Sequence, residues 1–168
     1  MDKVKKIIKE YIGYVIIIAI VLLVKEFIAS PIIVSGDSMY STLHDGDVMI
    51  LDKMAYRNEE IKRFDIVVIK NGSRYIIKRV IGLPGETVKY IDNTLYINDK
   101  IYVEDFLDKD TQTGYIAVET IPKGFYYVLG DNREISLDSR KLGLIEESAI
   151  EGKATITIFP FNRIGSKD

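Results

Sequence analysis

From Tyr11 to Val24 the chain reads YIGYVIIIAIVLLV, fourteen residues with no charge. A helix built from this stretch has no polar face, so it cannot sit half-buried on a soluble domain. Fourteen residues are short for a bilayer crossing, which takes about 20. Counted from Ile7 to Ile28 the segment has 22 residues, or about 33 Å of helix. Its interrupting charges, Lys9, Glu10, Lys25 and Glu26, lie near the two ends, where long side chains reach the headgroups. Pro31 disfavours helix at Ser30, so a transmembrane helix is expected over residues 11–30. Lys3, Lys5, Lys6 and Lys9 precede it. By the positive-inside rule residues 1–10 form a basic cytoplasmic tail, and residues 31–168 form an extracytoplasmic domain. The competing reading is a cleaved secretory signal. Against it stand the bulky Ile28 in Ile28-Ala29-Ser30 and Pro31 just after the candidate cut.

The 168 residues leave room for this single-pass anchor and one compact domain. With 47% hydrophobic and 29% charged residues, the chain is not of the disordered class. It has no cysteine, which removes disulfides, thiol nucleophiles and thiolate metal sites. His44 is the single histidine, so a zinc site rich in histidine is excluded, and no metal or cofactor is implied. The net charge is -2, and the basic first ten residues leave the remainder at about -4. That is a poor footprint for nucleic acid.

After residue 31 the pattern changes to short β-like runs separated by turn residues. Strands are expected at 32–34, 48–51, 66–70, 74–81, 87–91, 94–97, 101–103, 115–118, 125–129 and 154–159. Asn71-Gly72 reads as a type I′ hairpin turn, with Asp92-Asn93 and Asn98-Asp99 as further turns. Only a helical turn or two, near Met54–Arg57 and Glu146–Ala149, is expected. The fold class is therefore mainly β, a sandwich or partly open barrel behind an N-terminal helix.

Three clusters carry candidate chemistry. The first is Ser35-Gly36-Asp37-Ser38-Met39-Tyr40-Ser41-Thr42-Leu43. A segment so rich in Gly, Asp and Ser is by default a turn, and a nucleophilic serine also needs a base within reach. His44 is followed by Asp45-Gly46-Asp47, which reads as an exposed turn with a surface histidine. Lys78 is the better base, because strand alternation puts Ile76 and Val80 on its face. An amine on an apolar face is desolvated, which disfavours the ammonium and frees a lone pair for a serine proton. The plain alternative is an edge lysine that blocks aggregation. Arg79 points to the other face and needs a partner of its own. The third cluster, Gly130 to Arg140, packs three acids, two arginines and two serines into eleven residues. It is either a solvated loop or a salt-bridged platform.

Together these clusters resemble type I signal peptidases, the Ser-Lys proteases that remove signal peptides from exported preproteins, in their compact Gram-positive form. The likeness includes Ser35-Gly36-Asp37-Ser38-Met39, Thr42-Leu43, Phe64 to Val68, Tyr75 to Glu86, Gly130-Asp131-Asn132-Arg133, Ser136, Asp138-Ser139-Arg140, Gly152-Lys153-Ala154 and Pro160-Phe161-Asn162. The resemblance implies Ser38 as nucleophile and Lys78 as general base, with Ser136 orienting the amine. It implies an Asp138–Arg140 pair, with Asp131 and Arg133 in the same scaffold. Ile32, Val34, Met39, Leu43, Ile76 and Ile77 would line shallow pockets for an A-x-A-like substrate strand. The implied partners are signal-bearing preproteins and the lipid bilayer. Gly36 stands where some members carry a hydroxyl donor, which leaves the second oxyanion donor open, and Ser41 stands where proline is usual. Two other readings remain at this point. One is a self-cleaving Ser-Lys repressor protease, which would need a DNA-binding domain where the apolar helix lies. The other is a catalytically silent anchored β domain that binds peptides or scaffolds a complex.

Overall fold

The alternating runs become strands β1 (Ala29–Ile33), β2 (Val48–Asp52), β3 (Ile66–Asn71), β4 (Arg74–Gly82), β5 (Val88–Ile91) and β6 (Thr94–Ile97). They continue as β7 (Lys100–Tyr102), β8 (Ile116–Val118), β9 (Phe125–Leu129), β10 (Ile145–Glu146), β11 (Ile150–Phe159) and β12 (Gly165–Ser166). These come from a computed structural model that describes residues 2–166, with side chains from Glu10 onward. Eight strands form one sheet in the order β1-β2-β11-β3-β4-β9-β10, with β12 on β11. Four form a second, β7-β6-β5-β8. Both paths are open-ended, so the architecture is two sheets and not a closed barrel. Ile81, Tyr127 and Leu129 of the large sheet pack against Val88, Tyr90, Leu95 and Ile97 of the small one in a shared core.

The hairpins show how local chemistry sets register. Asp92-Asn93 and Asn98-Asp99 have φ of 49°, 60°, 50° and 63°, and Ile91 pairs with Thr94 and Ile97 with Lys100. Both are therefore two-residue turns of the primed kind. The β3–β4 turn departs from expectation. Asn71 pairs with Arg74, so the turn centre is Gly72-Ser73, and of these only Gly72 has positive φ (62°). One glycine at the first central position meets the II′ requirement, so the I′ geometry expected for Asn71-Gly72 is not used.

Helix α1 runs from Asp2 to Phe27. The helix expected over residues 11–30 therefore ends three residues early. Ala29, Ser30 and Pro31 instead pair with Asp52, Leu51 and Ile50 as the start of β1. Pro31 is accommodated because β1 is an edge strand with one side free. From Tyr11 to Phe27 the large hydrophobic side chains are exposed. Among the described residues no helix is long and apolar enough to cross a membrane. The side chains of residues 1–9, which include most of the expected basic tail, lie outside the described residues.

The expected turn near Met54 forms as α2 (Ala55–Asn58), and the one before Ala149 as a 3-10 turn over Glu147–Ala149. A third helix, α3 (Ser139–Leu142), follows Asp138, whose carboxylate accepts from the Arg140 N–H as its N-cap. Strands β10 and β12, two residues each, were also not expected, being too short to carry an alternation.

Candidate active site

The segment between β1 and β2 carries Ser38. Its flanks are held down by Met39 and Leu43, 1% and 0% exposed, which join Val34, Met49, Leu51, Ile66 and Val68 in a core cluster. Burying each contributes about 2 kcal/mol, enough to pin a loop of small polar residues. Leu43 N donates to Met39 O at 2.8 Å, which turns Leu43 into that core. Gly36 sits at φ 81° and its N–H donates to Asp45 Oδ1 at 2.7 Å.

Lys78 reaches this segment from β4. Its Nζ lies 2.7 Å from Ser38 Oγ and donates to Ile77 O at 2.7 Å. The residue is 2% exposed. Burial pushes the amine down to about 8 against the pull of Asp138 and Asp131, which favour the ammonium. A neutral amine keeps one lone pair, and the geometry leaves Ser38 Oγ as the hydroxyl next to it.

The Gly130–Arg140 loop closes over the pair. Asn132 N donates to Ser38 O at 3.1 Å. A Cβ on Gly130 would overlap Ser38 O and the Ser136 hydroxyl, so glycine is required by this close approach. Ser136 is buried, and its Oγ has no hydrogen-bond partner among the described residues; no bond joins it to Lys78 Nζ. Burial opposes the charged form of Asp138, but Arg140, the Gly130 N–H and the nearby Ser136 hydroxyl outweigh it and hold the carboxyl below its usual range. The Ser136 contribution is one of proximity, since its hydroxyl does not reach hydrogen-bond geometry. Arg140 Nη2 donates to Asp138 Oδ2 at 2.8 Å, and Gly130 N to the same oxygen at 3.1 Å.

Asp131 and Arg133 lie in the same loop but take separate partners. Asp131 accepts from Arg79 Nη2 at 2.7 Å and from Thr42 Oγ1 at 2.6 Å, which ties the β4 strand to the Ser38 segment. Arg133 Nη2 donates to Glu104 at 2.6 Å, Nη1 to Thr113 Oγ1 at 2.7 Å, and Nε to Gly130 O at 3.0 Å. Sequence reasoning missed Arg79, Thr42, Glu104 and Thr113 as parts of this scaffold. The need of Arg79 for an anion was the one visible signal; nothing local marks Glu104. The Asp45-Gly46-Asp47 turn is also not wholly exposed: Asp47 is fully buried and paired with Arg163, and His44 is half-buried, its Nδ1 4.0 Å from Asp47 Oδ2 and without a hydrogen-bond partner among the described residues.

Beside Ser38 and Lys78 opens a groove of about 470 Å³. Its walls are β1 with the residues after it (Ile32, Val34, Met39) and β4 (Ile76, Ile77), and its floor includes Leu51 and Val68. Five of the six residues expected to line a substrate pocket line this groove. Leu43 does not, because it faces the core behind the loop. β1 has no partner on its outer side, and the β4–β9 pairing covers only Arg79 to Gly82, leaving Tyr75 to Lys78 open on that side.

Comparison with known proteins gives consistent relatives. The family model described as "Signal peptidase, peptidase S26" matches residues 7–159. A protein named Signal peptidase I T from Bacillus subtilis is 43% identical over 90% of this chain and 86% of its own length. Signal peptidase IB from Staphylococcus aureus is 36% identical over 94% of this chain and 92% of its own. A crystal structure of a signal peptidase I from Enterococcus faecalis superposes with a TM-score of 0.52 at 39% identity, covering 58% of this chain and 98% of that one.

Proposed function

The chain belongs to the signal peptidase family, peptidase S26, and is a serine endopeptidase; from that premise we propose that Ser38 and neutral Lys78 carry the reaction, and that its substrates are signal-bearing preproteins cut at the outer face of a membrane. The observation that carries this is the 2.7 Å approach of a buried amine to a hydroxyl at the end of an open-edged groove.

Lys78 takes the proton of Ser38 as Oγ attacks the scissile carbonyl. The tetrahedral intermediate collapses to an acyl-enzyme and expels the amine of the mature protein, which takes up that proton. Lys78 then deprotonates a water that releases the signal peptide as a carboxylate and restores Ser38. The Ser38 N–H is the oxyanion donor assigned here, because the Gly36 N–H is occupied by Asp45; such donors supply about 3 kcal/mol. Ser136, within the loop and with no hydrogen-bond partner among the described residues, accepts from the ammonium form of Lys78 during the cycle. Asp138 with Arg140, and Asp131 with Arg79, hold the loop in place. The substrate adds as a strand between β1 and β4, with alternate small side chains entering the apolar walls.

The anchor reading is supported by the exposed apolar side chains of α1 from Tyr11 to Phe27. The sequence from Ile7 to Ile28 supplies the span, with the amino terminus on the cytoplasmic side and the β domain outside. The test is incubation of the purified chain with a signal-bearing preprotein and sequencing of the new N-terminus. Cleavage after an Ala-x-Ala-like triplet is the expected result; an unprocessed preprotein overturns the reading.

A further inference from the structure

At its far end the groove holds two charges that the chemistry above does not use, Lys53 and Glu151. Lys53 N donates to Ile28 O at 2.9 Å, and Gly152, next to Glu151, packs its Cα on the Asp52 carbonyl. Both residues therefore lie where β1 begins, beside the last turn of α1. The Lys53 ammonium is engaged there: it donates to Lys25 O at 3.1 Å and Glu26 O at 2.9 Å, two carbonyls that the helix end leaves open. Glu151 makes no hydrogen bond or ion pair among the described residues. Half-buried Glu151 thus lines a groove whose walls include Ile32, Ile33, Leu51, Val68, Ile76 and Ile77, while the Lys53 ammonium that lines the same end is engaged by the helix.

An unpaired charge in such a place favours a ligand that brings the opposite charge and repels one that brings the same. We infer that Glu151 is a specificity-determining residue, which reads the charge of the substrate a few residues before the scissile bond and selects a cationic over an acidic side chain there. The spacing follows from the sheet register. Gly152, next to Glu151 on β11, pairs through Val68 of β3 with Ile77 of β4, the residue before Lys78, and a strand lying in the groove with its cut at Ser38 therefore carries a residue a few positions earlier toward Glu151. The direction follows from α1: a signal peptide that shares the membrane with this helix enters the groove from the helix end. The inference deepens the signal-peptidase reading and rests on it for that direction.

The test uses the full chain in detergent as Ser38→Ala, so that binding is read without turnover. Two signal peptides ending in the same Ala-x-Ala site carry Lys or Asp a few residues before the cut. The Lys peptide is expected to bind roughly fivefold tighter, Glu151→Gln to bring the ratio close to one, and Glu151→Lys to invert it. A ratio unchanged by either substitution, or no binding of either peptide, overturns the inference. Cleavage of the same peptides by the unsubstituted chain is scored separately. Intact charge selection without any cleavage would overturn the peptidase reading and leave the role of Glu151 standing.

Discussion

Arg79 and Asp131 form an ion pair that water does not reach: Nη2 lies 2.7 Å from Oδ2, and each side chain is 1% exposed. The guanidinium also lies 3.9 Å from the centre of the Phe106 ring and donates to Phe64 O at 3.0 Å. Removing one partner leaves a buried charge uncompensated, which costs about 3–5 kcal/mol. Asp131→Ala is therefore expected to lower thermal stability by that amount. The double variant Arg79→Met with Asp131→Leu is expected to recover most of it, since matched apolar groups need no pairing. Thermal unfolding of the three proteins checks this.

Ser38→Ala and Lys78→Ala are each expected to reduce preprotein cleavage by about a thousandfold or more, with the fold kept. Lys78→Arg is expected to fare no better, because a guanidinium has no lone pair to offer at working pH. Retained turnover in Lys78→Ala would remove the amine from the mechanism.

The lowered lysine has two consequences for pH. Cleavage is expected to rise through about pH 8 as Lys78 becomes neutral. Stability follows the same direction. The amine titrates near 8 in the fold and near 10.5 when unfolded, so between those values the unfolded chain holds more protons and the fold gains stability as pH rises. Below about 8 the burden of the buried ammonium is at its full size, about 3 kcal/mol. Lys78→Met is therefore expected to unfold at higher temperature than the parent at neutral pH, with the gap closing toward pH 10. Parallel melting curves across that range would contradict it.

Gly130→Ala separates the site from the core. The added methyl would overlap Ser38 O and the Ser136 hydroxyl. It is expected to lower kcat by at least a hundredfold while the β sheets stay folded, because the collision falls on the Ser38 segment and not on the sheet cores. Kinetics paired with far-UV circular dichroism checks it.

The local signatures of Ser38 and Lys78, a polar loop after the helix and an amine alternating with Ile76 and Val80, also fit a plain turn and an edge lysine, and it was the family resemblance that singled out the pair; the structure brings Nζ and Oγ to 2.7 Å. Most strands were legible through alternation and turn residues. Arg133–Glu104 and Arg79–Asp131 were not, because 29 and 52 residues separate the partners and no local rule pairs them. The turn at Gly72-Ser73 was misplaced by one residue, since Asn71-Gly72 and Gly72-Ser73 both satisfy hairpin chemistry and cross-strand pairing selects between them. Leu43 was expected in the groove on the resemblance, which does not say which way a side chain faces; here it packs into the core cluster with Val34 and Met49.

Only Ile28 separates α1 from β1, and the Lys53 ammonium clasps the final helical turn. Helix and sheet are therefore joined by a short, clasped hinge. A longer joint inserted after Phe27 would separate the Lys53 clasp from β1 and loosen the edge of the groove that β1 supplies.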